Sequence, residues 1–296
     1  MNELHCHLDG SLRYSTLVDL AEKKNIIIPK NYKEIFFYKG MTLQDALSRF
    51  EITLSVLQNP EDVKRVAKEI CKDAWMDGIQ SLEIRFAPQL HRGGSLEDIV
   101  DAASEGMFGN SKLILCGLYG ENPDVLNKLV EIGKTKEKVV GIDLAGGPAT
   151  FHNWTLRDYE IPFLKAKEYG LGRTVHAGEG RDPNEIIDAI NILKAQRIGH
   201  GTTVLQSQNA VNLILEKNIL IEACITSNIH TNVIQEEKDH PIKSWIERGI
   251  KVSLCADNTM LSNTVLSREY NIAKYKVGLT NKELEYCSEC SKEFLF

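Results

Sequence analysis

The first chemically suggestive feature of the sequence is a pair of histidines near its start. His5-Cys6-His7 lies in a short apolar run, and residues i and i+2 of a strand project from the same face. Further along, His176 and Asp257 each end another apolar run. Three imidazoles and one carboxylate suit Zn(II) better than Mg(II) or Ca(II). We therefore predict one zinc ion per chain, bound by His5, His7, His176 and Asp257.

Each of these residues has a more ordinary interpretation when it is taken alone. A single strand histidine is more often a hydrogen-bonded core residue, and an aspartate before an asparagine, as in Asp257-Asn258, is common at turns and helix starts. Two adjacent buried imidazoles, however, need partners, because unpaired buried polar groups are costly. The spacing of His5 and His7 therefore favours a metal site. Asp9 extends the same face if the strand continues past His7.

Two further side chains follow these runs and are predicted to transfer protons. Glu179 stands three residues after His176, and Gly178 allows a tight turn between them. A partly desolvated carboxyl has a raised pKa and can act as a general acid, although a glutamate can also simply open the next helix. His200, which is flanked by two glycines, is either a fourth imidazole ligand or a base close to the metal.

The elements that must position these residues alternate along the chain. Short apolar, β-branched runs typical of buried strands span residues 3–8, 79–86, 112–118, 139–145, 171–176, 196–200, 219–225 and 250–256. Helical spacing is found at 62–77, 95–107, 122–136, 155–169, 183–195, 205–217, 238–248 and 262–293. Eight strands separated by helices predict an α/β protein with a (β/α)8 TIM-type barrel, and residues 1–296 are expected to form one domain.

The alternative architecture is an open, doubly wound sheet, but no glycine-rich phosphate loop follows the first strand. In a barrel, all strand carboxyl ends open at one face, so the candidate residues converge although they are far apart in sequence. The long first connection, residues 9–78, is predicted to hold extra helices that cap this face.

Composition excludes several classes of function. The net charge is −6 and the basic residues are scattered, which disfavours nucleic-acid binding. No apolar run is long enough to span a membrane, and the first residues do not resemble a signal peptide. Seven dispersed cysteines are typical of free thiols in a reducing compartment, so we expect a cytoplasmic protein. The sequence predicts no oligomeric state.

Several other polar residues are not assigned to the site directly. Glu83 and Arg85 share one face of the second strand, so they can pair inside the barrel, where the pair is either structural or a support for the site. Four histidines that fall in predicted loops or near helix starts are expected at the surface or in local hydrogen bonds: His91, His152, His230 and His240.

Five motifs follow one another along the chain: HCHLDGS at 5–11, LAG at 144–146, HAGE at 176–179, GHG at 199–201 and ADN at 256–258. Their order and approximate spacing resemble those of the adenosine deaminase family. The segments at 81–91 and 226–228 are also similar, so the resemblance covers nearly the whole chain. It implies a (β/α)8 barrel enzyme that converts adenosine and deoxyadenosine to inosine and deoxyinosine and releases ammonia, as in purine salvage.

The resemblance also implies roles for single residues. The four predicted ligands bind zinc, Glu179 protonates ring nitrogen 1 of the purine, and His200 acts with Asp257 on the proton of the attacking water. Gly146 offers its backbone N–H to ring nitrogen 3, and Asp9, with His7, faces the ribose 5′-hydroxyl. The resemblance thus implies that the small-molecule purine nucleoside is bound by His7, Asp9, Gly146 and Asn258.

Asn258 departs from the family pattern, which often has a second aspartate at this position. Asn258 lies where a side chain meets ring nitrogen 7, which is an acceptor. An aspartate must be protonated to donate to it, whereas an amide donates without that requirement. We therefore expect activity with an altered pH profile.

Three alternatives compete with this interpretation. An adenine or modified-adenosine deaminase on the same scaffold is disfavoured by Asp9, whose short side chain leaves room for a ribose hydroxyl. A two-metal hydrolase is disfavoured because strand four offers Asp143 but no lysine. A catalytically inactive nucleoside-binding protein is disfavoured because Glu179 and His200 are both present.

Overall fold

Eight parallel strands form the centre of the molecule, in a computed structural model that describes residues 1–147 and 153–296. The strands pair in chain order and confirm the predicted (β/α)8 barrel. Their side chains are almost all buried, because a parallel barrel is covered by helices outside and filled by side chains inside. Their bounds are β1 Asn2–His7, β2 Ser81–Phe86, β3 Ser111–Leu118, β4 Val139–Ala145, β5 Gly172–Ala177, β6 Arg197–His200, β7 Leu220–Ala223 and β8 Lys251–Leu254.

Helices surround the barrel and fill the long first connection, as predicted. The segment 262–293 is not one helix, since a π-helical turn, Ala273–Val277, lies between its two helices. Within the described ranges, no helix has the length and hydropathy that crossing a membrane requires. The helices are α1 Leu8–Ser11, α2 Tyr14–Lys24, α3 Tyr32–Ile35, α4 Leu43–Val56, α5 Pro60–Met76, α6 Leu96–Gly106, α7 Pro123–Gly133, α8 Glu160–Glu168, α9 Asn184–Asn191, α10 Gln208–Lys217, α11 Ile225–His230, α12 Ile242–Glu247, α13 Leu266–Ile272 and α14 Asn281–Glu293.

Helix α5 illustrates how the helices of the outer layer bury one apolar side. It begins at Pro60, whose fixed φ suits the first helical position. Val63, Val66 and Ile70 follow at helical spacing and are buried in the main hydrophobic core. Each such side chain contributes roughly 1.5–3 kcal/mol when it is fully buried. The polar side chains on the opposite side of the helix remain in contact with solvent.

The barrel closes at a narrow seam between its first and last strands. Cys6 and Asp257 form an isolated parallel bridge. The His7 N–H donates to the Asp257 carbonyl at 2.7 Å, and the Asp257 N–H donates to the His5 carbonyl at 2.8 Å. Three of the four predicted metal ligands therefore lie at the seam, and barrel closure itself brings them together.

Charged side chains fill the floor of the barrel, and their pairing corrects one prediction. Glu83 and Arg85 do not pair with each other, because residues two apart on a strand are separated by about 6.6 Å along it. Glu83 instead accepts from Arg197 at 2.6 Å. Arg85 donates to Asp143 and to Glu222, each at 2.9 Å. All these side chains are buried, so each charge requires its partner.

Helix α4 covers part of the barrel mouth. It begins in a capping box in which Thr42 and Asp45 satisfy each other's backbone N–H groups. Leu43, Leu47 and Phe50 project from one side of this helix into the cavity at the mouth. The first connection thus supplies an apolar wall for whatever the barrel mouth binds.

Candidate active site

Three imidazole rings meet at the carboxyl end of the strands. His5 and His7 lie in β1, and His176 lies in β5. Nε2 of His7 is 3.2 Å from Nε2 of His5 and 3.2 Å from Nε2 of His176. One ring nitrogen of each histidine thus lies close enough to the others to share a cation.

Asp257 completes this group from the other side of the seam. Its Oδ1 lies 3.5 Å from Nε2 of His5 and 3.5 Å from Nε2 of His7. The prediction that it ends the eighth strand was wrong, since β8 ends at Leu254. Asp257 has a left-handed backbone with a φ of 61°. Such a conformation costs a non-glycine residue about 1–3 kcal/mol, so the surrounding contacts must hold it in place.

Buried carboxylates hold the second nitrogens of two of these rings. His5 Nδ1 donates to Glu222 at 2.8 Å, and His176 Nδ1 donates to Asp143 at 3.2 Å. A carboxylate can only accept, so the ring proton lies on Nδ1 and the lone pair on Nε2. Because Arg85 donates to both carboxylates, the two histidines share one network. Sequence reasoning missed Glu222, whose only signal was its position in a buried strand.

The donor spacing fits a zinc ion. Zinc binds nitrogen at about 2.0–2.1 Å, so two nitrogens on one ion are separated by about 3 Å. Burial is also the main reason that the pKa values of His5 and His7 lie well below their usual range. Neutral rings whose lone pairs face one another in a buried site repel, unless a cation lies among them.

Glu179 follows β5 in a turn that only glycine allows. Gly178 has a φ of 65°, and a Cβ there would lie 2.6 Å from Cδ1 of Ile186. Glu179 is 4% exposed, and this burial raises the pKa of its carboxyl, although nearby Arg181 acts in the opposite direction. A carboxyl with a raised pKa holds its proton to a higher pH, so it is better suited to donate that proton to a ligand.

His200 ends β6 and is neutral. Burial is the main cause that lowers the pKa of His200 to about 3. Its Nδ1 lies 3.0 Å from the side-chain amide of Asn228, whose other side contacts His240 at 3.2 Å. Its backbone is left-handed, with a φ of 66°. The ring is therefore held in one orientation from behind, and its burial favours the neutral form.

The geometry also allows the alternative that His200 is a ligand. Donor atoms of His5, His200, Cys224 and Asp257 all lie within 4.8 Å of one another. Sequence reasoning missed Cys224, which follows β7 directly. Burial raises the pKa of its thiol well above the usual value, so without a cation it stays protonated.

Two adjoining cavities open beside this group and share His7, Leu47, Phe50 and Gly146 in their walls. One has a volume of about 50 Å³ and reaches Glu179, His200 and Asn258. The other has a volume of about 280 Å³ and reaches Asp9. Together they approach the lower end of the usual range for small-molecule sites, roughly 300–1,000 Å³.

The remaining predicted site residues lie in these walls. Asp9 does not extend the strand, because the chain turns into α1 at Leu8, yet its carboxyl still lies beside the His7 cavity. Gly146 follows β4 with a φ of 75°. Asn258 donates to Asp257 Oδ1 at 2.6 Å, so one of its amide hydrogens is directed to the predicted metal ligand.

The structure corrects the surface positions predicted for two histidines. His91 and His240 are buried, at 2% and 3% exposure. Both take part in side-chain hydrogen bonds. His240 contacts Asn228, whereas His91 contacts Asp9, which is distant in sequence. His152 lies outside the described residues, and His230 is partly buried.

Comparison with known proteins identifies relatives of the whole chain. The family model described as adenosine deaminase matches residues 1–292. The chain is 38% identical over 295 residues to the adenosine deaminase of Clostridium kluyveri, and the match covers 93% of this chain and 83% of the relative.

Solved structures share the fold of this chain. An adenine deaminase from Arthrobacter aurescens has a TM-score of 0.88 at 22% identity, with 100% of this chain and 93% of that chain covered. An N6-mAMP deaminase from Arabidopsis has a TM-score of 0.87 at 25% identity, with 99% and 92% covered. The chain is therefore a member of the adenosine deaminase family of hydrolytic deaminases, as its motifs predicted.

Proposed function

We propose that this protein is a zinc-dependent deaminase that converts adenosine and deoxyadenosine to inosine and deoxyinosine and releases ammonia. The observation that carries the proposal is the convergence of three imidazoles and Asp257 beside the buried carboxyl of Glu179. Membership of the family supports a purine nucleoside as substrate. Because the seven cysteines are all free and buried, we expect the protein to act in a reducing compartment, the cytoplasm.

Four residues would hold a single zinc ion: His5, His7, His176 and Asp257. A zinc ion there would lower the pKa of a water molecule from ~15.7 to roughly 7 and so supply a hydroxide nucleophile near neutral pH. Glu222 and Asp143 keep their histidines in the tautomer that presents Nε2 to the ion. These carboxylates therefore support the ligands without touching the substrate.

Glu179 and His200 are proposed to move the protons. Attack on the purine carbon that bears the amine destroys ring aromaticity, so the barrier is high. Protonation of ring nitrogen 1 by Glu179 makes that carbon more electrophilic, and the raised pKa of Glu179 keeps the proton available. His200, with Asp257 in the same cavity, is proposed to accept the proton of the attacking water and to pass it to the departing amine, which leaves as ammonia.

The cavity walls are proposed to orient the nucleoside. The N–H of Gly146 donates to ring nitrogen 3, and the carboxylate of Asp9, beside His7, accepts from the 5′-hydroxyl. Asn258 uses one amide hydrogen for Asp257, and its second hydrogen remains for ring nitrogen 7. These contacts distinguish the two ends of the substrate, and so place the amine-bearing carbon towards the metal.

The shape and charge of the larger cavity favour a nucleoside over a free base and over a nucleotide. An adenine substrate would leave the cavity of about 280 Å³ beside Asp9 without a ligand group. A nucleotide would bring a phosphate towards Asp9 and Glu51, which line the same cavity, and like charges repel strongly where water is limited.

One assay tests the proposal: turnover of adenosine, deoxyadenosine, adenine and AMP, each before and after treatment with a chelator. We expect turnover of the two nucleosides alone, loss of activity with the chelator, and recovery when zinc is added back. Metal analysis should give one ion per chain. Deamination of adenine but not adenosine, or activity that survives complete metal removal, would contradict the proposal.

A further inference from the structure

We propose that His91 is a positioning residue that orients the Asp9 carboxylate for recognition of the sugar 5′-hydroxyl. The proposal rests on the function proposed above, because it deepens the role given there to Asp9. His91 follows the short 3-10 turn Pro88–Leu90 after β2 and does not line either cavity at the barrel mouth. It therefore acts on the substrate only through Asp9.

The ring of His91 is held between two acceptors. Its Nε2 donates to Oδ1 of Asp9 at 3.1 Å, and its Nδ1 donates to the Leu57 carbonyl. Both partners offer only lone pairs, so a ring that satisfies both carries a proton on each nitrogen. The side chain of His91 is fully buried, so water does not replace either partner. The contact with Asp9 is therefore a charge-assisted hydrogen bond in a dry environment.

The direction of the pKa shift agrees with this geometry. Burial acts to lower the pKa of His91, but the carboxylate of Asp9 and the two hydrogen bonds raise it above its usual value. The imidazolium and the carboxylate thus compensate each other's charge, which makes the burial of both tolerable.

This contact leaves one oxygen of Asp9 for a ligand. Oδ1 is occupied by His91, whereas no hydrogen bond to Oδ2 is found within the described residues. Asp9 also lines the larger cavity together with His7 and Gly146. A carboxylate fixed at one oxygen presents the other in a constant direction, so a sugar hydroxyl can be bound without first ordering the side chain.

The segment around His91 is itself firmly held. Leu57 directly follows the last residue of α4 and is its C-cap. The neighbouring Gln58 donates to the Leu90 carbonyl at 3.0 Å and accepts from the Arg92 N–H at 2.9 Å. Since α4 also lines the cavity, His91 connects the sugar-binding carboxylate to the helix that covers it.

Two substrates that differ by one hydroxyl test the inference: adenosine and 5′-deoxyadenosine. A hydrogen bond to a charged group alters affinity by roughly ten- to hundredfold, so we expect the protein to prefer adenosine by about this factor in kcat/KM. Asp9→Ala should abolish the preference. His91→Asn should reduce it towards the Asp9→Ala value by raising the KM for adenosine, while kcat/KM for 5′-deoxyadenosine stays constant.

The matched control is His91→Gln. The shorter amide of His91→Asn can still reach the Leu57 carbonyl but not Asp9, whereas the longer amide of His91→Gln can reach Asp9. We expect His91→Gln to retain most of the preference, and the double variant of His91→Asn with Asp9→Ala to lose no more than Asp9→Ala alone. If His91→Asn does not fold, His91→Leu fills a similar buried volume and gives the same comparison.

The outcomes separate this inference from the proposed function. If His91→Asn lowers kcat/KM for both substrates equally, or leaves the preference intact, the inference is overturned and His91 is only structural. If the unaltered protein deaminates adenosine but does not prefer it over 5′-deoxyadenosine, the inference is overturned while the deaminase proposal stands. If it does not deaminate adenosine at all, the proposed function fails.

Discussion

The metal side and the sugar side of this active site are built in different ways. On the metal side, His5 and His176 project from strands, and buried carboxylates of other strands hold their second nitrogens. On the sugar side, Asp9 lies in the four-residue helix α1, and His91 is its one hydrogen-bonding side chain within the described residues. In the first arrangement Arg85 links the supporting carboxylates into one network, whereas the second depends on a single contact.

This difference suggests how the two sides can change. The strands of a barrel fix the chemistry, and the connections above them adjust recognition. A substitution in the metal-side network alters several buried charges at once. A substitution on the sugar side alters one contact and leaves the metal ligands in position. Changes on the metal side should therefore affect turnover or metal binding, and changes on the sugar side should affect KM.

The strongest test of the metal side is Glu179→Gln. Because the amide cannot supply the proton, we expect kcat for adenosine to fall by about 10²–10⁴-fold, with metal content and adenosine binding retained. Steady-state kinetics and calorimetric binding measure these quantities. Glu168→Gln, an exposed position in α8, is the control and should behave like the unaltered protein. Unchanged turnover in Glu179→Gln would refute its role as proton donor.

A smaller effect is expected when the support behind a ligand is removed. Asp143→Asn removes the charge that holds His176, so zinc affinity should fall by about 10–100-fold and excess zinc should restore activity. Competition with a coloured chelator measures the affinity. Glu83→Gln is the matched control, because Glu83 pairs with Arg197 in the same floor but does not contact a histidine. Equal losses of zinc affinity in both variants would mean that the floor acts only on stability.

The smallest effect is expected on the sugar side, from Phe50→Ala in α4. Phe50 contributes apolar wall to both cavities, so its loss should raise the KM for adenosine by about three- to tenfold and leave kcat nearly constant. Tyr32→Ala, which alters a largely exposed aromatic of the neighbouring helix α3, should change neither constant. A large fall in kcat for Phe50→Ala would show that the two sides are not separable.

Much of the fold could be predicted because buried parallel strands are nearly continuous apolar runs. Their order also predicted that residues at several strand ends would converge, and the structure brings His5, His7 and His176 together. The turn at Gly178 could be predicted as well, since a short glycine-containing link leaves few paths for the chain.

The partners of buried polar residues could not be predicted in the same way. The pattern of one strand shows that Arg85 is inside, but Asp143 and Glu222 become its neighbours only when the barrel closes. His91 follows a short turn and has the local sequence of a loop residue, so nothing nearby in sequence indicated its burial against Asp9. Long-range contacts of this kind depend on the closed barrel, which local periodicity does not describe.

The seam between Cys6 and Asp257 has a consequence for folding during synthesis. The two residues are far apart in sequence, so a ribosome must deliver all of the chain between them before they can meet. Contacts between such distant residues form slowly, because loop closure must precede any gain from them. A nascent chain therefore offers His5 and His7 without their aspartate, and the predicted metal site can assemble only after Asp257 has been synthesised.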